Sequence, residues 1–245
     1  MKSRNIILLV LLFSITTVFA QKDNCLEQVK RVYKAWEKQV QESTENTVYL
    51  KYETEITTGG EKLETNKLEI EVISNKDNSI FSSPDLKIYQ DKKHTVSILK
   101  DKKVIVINGV SSDQYKKQKI GQFEVLHDTI FSQLKTIECE MVQIEGKAYK
   151  KVVLEANATA RNIYKIETIY FLLDLNNNTV KEVKVKYLKN YQLAVMHIKI
   201  IDQNLDYKIK INKEVLSNVL DSNGKLLNKY TGYKLMDNRK LKKYE

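Results

Sequence analysis

Apolar side chains along this chain follow two different periods, and the change between them divides it. From Leu26 they recur every three or four residues, at Leu26, Val29, Tyr33, Trp36 and Val40, with Lys30, Lys34, Glu37 and Lys38 on the other side. This spacing predicts an amphipathic helix over 24–43. Asn24 followed by Glu27 has the form of a capping box at its start. From Asn46 the period drops to two. Val48, Leu50, Tyr52, Thr54 and Ile56 share one face of a strand, and Lys51, Glu53 and Glu55 share the other. Gly59-Gly60 signals a hairpin, and the return strand sets Leu68, Ile70 and Val72 against Glu69 and Glu71.

Shorter strands are expected at 86–90, 94–99 and 103–108, separated by the polar turns QDKKH and KDKK. Val104 to Ile107 is apolar at every position, which predicts a strand covered on both faces. Residues 111–135 return to helical spacing through Phe123, Leu126, Ile130 and Leu134, with Gly121 as a break. Strands then resume at 136–145, 148–156, 163–174, 179–188, 193–202 and 205–212. Val183, Val185 and Tyr187 alternate with lysines, as do Leu205, Tyr207, Ile209 and Ile211 with Asp and Lys. A short helix is expected near 213–220, then a basic tail.

The pattern gives about eleven strands with one apolar and one charged face each, and two or three helices. Antiparallel sheets with a wet side read this way, and so many strands in one sheet must curl. The predicted class is α+β and mostly antiparallel β: a strongly curved sheet or unclosed β-barrel with its helices on the concave side. One proline and seven glycines leave little room for linkers, and no repeat at fixed spacing is visible.

Ahead of this domain lies a leader. Lys2 and Arg4 precede an apolar run from Ile6 to Phe19, and Val18-Phe19-Ala20 places small or short residues where a signal peptidase reads. The run is shorter than the ~20 residues needed to cross a bilayer. A signal peptide over 1–20, a single domain over 21–245, and an exported, periplasmic or secreted monomer are expected. The net charge of the full chain is +10, and loss of Lys2 and Arg4 lowers it by two. A basic exported protein can meet anionic head groups or acidic polysaccharide. Lysines interleaved with glutamates describe a solvated face better than a binding patch. Export removes nucleic acid from the partners.

Candidate chemistry is sparse. His94, His127 and His197 stand apart, without metal-ligand spacing, so no metal and no cofactor are expected. No nucleophile elbow, phosphate loop or metalloprotease motif occurs. Glu53 with Glu55 and Glu69 with Glu71 are paired carboxylates at strand spacing, but they lie on charged faces beside lysines. The protein reads as non-enzymatic. Asn157-Ala158-Thr159 and Asn177-Asn178-Thr179 match glycosylation sequons. Tyr52, Tyr187 and Tyr207 sit on apolar strand faces, where a tyrosine serves a cavity rim or ordinary half-buried packing.

The order of elements carries a resemblance. An opening helix, CLEQVKRVYKAWEKQV, precedes a long hairpin, TVYLKYETEITTGGEKLETNKLEIEVI, and a short-strand series, LKIYQDKKHTVSILKDKKVIVIN. The later hairpin IYFLLDLNNNTVKEVKVKYL, with Asp174 and Thr179, is similar to the late hairpin of LolA-like periplasmic lipoprotein carriers. Together the likeness covers about residues 24–212. It implies an unclosed barrel whose apolar interior holds lipid or lipoprotein acyl chains, without a reaction. The cavity candidates are then Trp36, Leu50, Tyr52, Ile56, Leu68, Ile70, Val72, Val183, Val185, Tyr187, Tyr207 and Ile209, and the lid candidates Phe123, Leu126 and Ile130. Carriers of this family place an arginine on an early strand facing the interior. Here that strand has Lys51, Glu53 and Glu55, and after the leader only Arg31, Arg161 and Arg239 occur. The other reading is a structural or interaction module of the bacterial cell envelope, its core filled by its own helices and its partner an envelope protein.

Cys25 and Cys139 are the two cysteines. Gln21, Lys22, Asp23 and Asn24 before Cys25 are polar or charged, unlike the small apolar residues that precede a lipid-modified cysteine. Cys139 shares a strand face with Ile137 and Met141, opposite Glu138 and Glu140. An even pair in an oxidising compartment suits a disulfide from Cys25 to Cys139, and two buried thiols are the alternative.

Overall fold

The computed structural model describes residues 24–36, 38, 47–59, 62–111, 128–209, 211–212 and 214–239. The leader, Val40, Phe123, Leu126 and His127 lie outside the described residues, so the lid expected over 111–135 is represented only by its end. A helix occupies 24–36 (α1). Twelve strands follow in chain order: β1 Thr47–Thr58, β2 Thr65–Ser74, β3 Ser79–Ser82, β4 Leu86–Gln90, β5 His94–Leu99, β6 Val104–Gly109, β7 Leu134–Ile144, β8 Lys147–Ala156, β9 Ile166–Asp174, β10 Thr179–Tyr187, β11 Leu193–Tyr207 and β12 Lys234–Asp237. Helix α2 (Asp128–Phe131) precedes β7, helix α3 (Ala158–Tyr164) precedes β9, and 3-10 turns lie at Val215–Asn218 and Asn228–Tyr230.

Hydrogen bonding links the strands in the order β12-β6-β5-β4-β3-β2-β1-β11-β10-β9-β8-β7, an unclosed sheet ending at β12 and β7. The pairs with a defined register are antiparallel, except β12 with β6. The mostly antiparallel α+β class is therefore what the chain adopts. The strand count differs from eleven for local reasons. The strand expected at 193–202 runs on through Gln203 and Asn204 to Tyr207 as β11, taking in only the start of the strand expected at 205–212. Strand β3 is too short to show a period, and β12 has only the adjacent Leu235 and Met236 between polar neighbours, with no alternation to read. Helix α3 replaces the start of the strand expected at 163. Its N-cap is Asn157, whose Oδ1 accepts from the Ala160 N–H, so one sequon serves as a cap. The other holds a turn: Asp174 Oδ1 accepts from the backbone N–H groups of Asn176 and Asn177.

The chain divides into two compact units. Among the described residues the first draws on 24–36, 55–59, 62–66 and 128–199, and the second on 38, 47–54, 67–111, 200–209, 211–212 and 214–239. In the second, the meander β4–β6 buries Tyr89, Val96, Ile98, Ile105 and Ile107 against Val215, Val219 and Leu220. Ile105 and Ile107 are fully buried, whereas Val104 and Val106 are half-buried. Strand β6 thus has one sealed face, where the sequence predicts two.

In the first unit, Glu145 and Gly146, at φ 50° and 77°, form the tight turn from β7 to β8. Gly59 ends β1 for a different reason than a hairpin signal. Its N–H donates to the Gln192 carbonyl at 2.7 Å, and a Cβ there would stand 2.3 Å from the Tyr191 carbonyl oxygen. Backbone, unlike a side-chain tip, cannot step aside. Gly59→Ala is expected to cost about 1–3 kcal/mol of stability through overpacking, read as a lowered urea midpoint. An unchanged midpoint would refute this close approach.

Candidate functional site

Cross-strand register aligns the apolar side chains of the first unit into rows. One row runs Cys139, Val152, Phe171, Val183 and Ile198 from β7 to β11. A second runs Thr136, Leu154, Ile169, Val185 and Met196, and a third Met141, Lys150, Leu173 and Val180. Opposed residues in an antiparallel pair point to the same side, so these rows form one continuous face. Val152, Leu154, Ile169, Phe171 and Leu173 on it are fully buried.

The cover comes from the unit's own helices. Cys25, Val29, Val32, Tyr33 and Trp36 form the buried stripe of α1, at the spacing expected of one helix face. Ring contacts join it to the sheet. Trp36 and Tyr33 have centroids 6.2 Å apart, Tyr33 meets Phe131 of α2 edge-on at 5.7 Å, and Phe131 stacks on Phe171 at 6.4 Å. At the other end of the stripe Cys25 and Cys139 are joined by a disulfide, their Cα atoms 6.4 Å apart. The first turn of α1 is thereby bonded to β7, the last strand of the sheet.

The opposite side of the same strands is charged. Lys151 binds Glu138 and, at 3.1 Å, Glu140. Its hydrogen bond to Glu138 is the main reason the Lys151 ammonium is held above, and the Glu138 carboxyl below, their ordinary ranges. His197 Nε2 lies 3.1 Å from Glu182 Oε2. The i, i+2 carboxylates of β1 and β2 are likewise paired, Lys51 with Glu69 at 2.8 Å and Lys67 with Glu53 at 2.8 Å. Among the described residues no group of three or more His, Cys, Asp or Glu could hold a metal ion.

The cavity candidates separate into different environments. In the first unit Trp36 and Val185 are buried, Val183 is half-buried within the first row, Ile56 is half-buried, and Tyr187 lies against Tyr191 at 5.2 Å. In the second unit Leu50, Tyr52, Ile70 and Val72 are buried, and burial pushes the Tyr52 hydroxyl up to about 12. Leu68 is exposed at the start of β2, and Ile209 is 48% exposed beyond β11. Tyr207 stacks on Tyr49 at 5.0 Å, and Tyr49 reaches Glu71, so Tyr207 shares the face of the charged residues. Ile130 is buried beside Phe131. Phe131, Phe171, Ile169 and Leu154 are the residues of this site that the spacing rules passed over. For Phe171, Ile169 and Leu154 the signal was the doubly apolar runs TIYFLLDL and KVVLEA, in which no alternation marks the covered face.

Reduction of the disulfide is expected to lower stability by about 4–5 kcal/mol in the chain-entropy model, given a separation of 114 residues. Denaturant unfolding of Cys25→Ser with Cys139→Ser checks this. Labelling of unfolded protein with a thiol reagent should find no thiol before reduction and two after, and equal labelling would refute the bond.

No family model matches the chain, and no curated protein does. Solved structures do. An uncharacterized conserved protein from Thermus thermophilus is similar at 9% identity and TM-score 0.44, covering 81% of this chain and 98% of its own. A LolA superfamily protein from Nitrosomonas europaea is similar at 10% identity and TM-score 0.28, over 79% of this chain and 96% of its own. The MucA/MucB complex of Pseudomonas aeruginosa contains a chain similar at 7% identity and TM-score 0.33, over 74% of this chain and 56% of its own. None of the described helices is long and apolar enough to cross a membrane.

Proposed function

We propose that this is an exported, non-enzymatic interaction module of the cell envelope, freed of its leader after Ala20 and acting by binding a partner protein. The observation that carries this reading is the closure of the apolar rows by α1, a helix bonded to the sheet through Cys25 and Cys139. Val29, Val32, Tyr33 and Phe131 already fill much of that face, so recognition falls to what remains outside. That includes β7, which among the described residues pairs on one side only and whose Ile137, Met141 and Ile144 are exposed. Unpaired strand edges with apolar side chains are docking sites for other chains.

Acyl-chain binding is the second reading, and a specific feature favours it. Met141, 56% exposed, lies in the same cross-strand row as the buried Leu173 and Val180. That row reaches the sheet edge at Met141, with Lys150 between it and Leu173, and each methylene buried against Met141 would gain about 0.8 kcal/mol. Two measurements on protein purified oxidised from the envelope decide between the readings. The interaction module should return one stoichiometric protein on pull-down from envelope extract and carry no acyl species in native mass spectrometry. Co-purified acyl chains, or uptake of a fluorescent fatty acid, would replace it with the second reading.

A further inference from the structure

In the second unit, away from the rows and the disulfide, a cleft of about 550 Å³ opens among three chain segments that are distant in sequence. Its volume is in the range of small-molecule sites, about 300–1,000 Å³. One wall is the turn from β2 to β3, another the turn from β4 to β5, and the third the chain entering the 3-10 turn at Val215. Asp91 holds the last two together. Its Oδ1 accepts from the N–H groups of Lys93 and His94, both at 2.7 Å, and its Oδ2 accepts from the Val215 N–H at 3.4 Å. The first wall is tied in by Lys92 Nζ, 2.6 Å from Asp77 Oδ1. Those groups are committed to building the cleft.

Three side-chain groups that line it are not. Lys93 and Glu214 make no ion pair among the described residues, and Asn78 is only 4% exposed while its Oδ1 lacks any hydrogen-bond partner. A buried acceptor without a donor is rare and costly, about 1–3 kcal/mol. An incoming donor would relieve it.

We propose that this cleft binds a neutral polyhydroxylated ligand, a saccharide. The reasoning is one of matching. The lining carries both signs, with Asp77, Asp91 and Glu214 beside Lys92 and Lys93, so no single sign of charge dominates it. Asn78 Oδ1 and Glu214 need donors, whereas Lys93 supplies one. A hydroxyl is both donor and acceptor, and adjacent hydroxyls on one ring satisfy such a mixed set. The C–H face of the ring then packs on Leu216, the half-buried apolar side chain of the lining.

The test is saturation-transfer NMR on the full mature chain with maltose, cellobiose and diacetylchitobiose, and with dialanine as a zwitterionic comparison. At least one disaccharide should receive saturation. Lys93→Ala and Glu214→Ala should each weaken its binding about tenfold, the loss of one charge-assisted hydrogen bond, at an unchanged thermal midpoint. Lys186→Ala, in the other unit, should leave it unaltered. Transfer to no disaccharide, transfer to dialanine alone, or binding that survives both cleft variants would overturn the assignment. Because the cleft shares no residue with the apolar rows or β7, either result leaves the partner-binding reading to its own measurements.

Discussion

The constraint on which the first unit depends is that a sheet apolar on one face must have that face covered. Strands β7 to β11 present Val152, Leu154, Ile169, Phe171 and Leu173 to one side. Left in water, such a face would cost about 25 cal/mol for each Å². Helix α1 supplies the cover. The cover has two attachments of different kinds: a covalent bond from Cys25 to Cys139, and a chain of ring contacts from Trp36 through Tyr33 and Phe131 to Phe171. The bond acts on the unfolded chain, whose entropy it reduces. The rings act on the folded one, through burial and edge geometry.

Other features follow from that closure. With the apolar side committed inward, the charged side of the same strands is free to neutralise itself, and Lys151 with Glu138 and Glu140, or His197 with Glu182, does so across neighbouring strands. Exposed pairs of this kind contribute little to stability, about 0–1 kcal/mol each, so they set solubility and register more than fold. In the second unit, Lys93 and Glu214, without an ion pair among the described residues, line one cleft together with Asn78, whose buried Oδ1 lacks a hydrogen-bond partner.

Much of this was legible in the order of residues. The stripe Val29, Tyr33 and Trp36 announced α1. The alternations through Leu50 and Tyr52, Ile70 and Val72, and Val183 and Val185 announced strands and named their buried sides, because a period of two or of 3.6 is a local property of backbone geometry. The same rules misjudged Tyr207, which alternates correctly yet faces Tyr49 and Glu71. Phase along one strand does not say to which side of a sheet it is joined. They also passed over Phe171 and Leu154, where both faces are apolar and no period exists to be read.

The sequence by itself determined the class of the protein, its mostly antiparallel strands, its covering helix and a pair of cysteines that could meet. Only the tertiary structure decided that the cysteines do meet, that the helix fills the face it covers, and that Asp91, Asn78 and Glu214 line one cleft. The reason is physical: local periods are fixed by a few neighbouring dihedral angles, whereas cross-strand rows and clefts are fixed by register between residues far apart in the chain, on which no local rule acts.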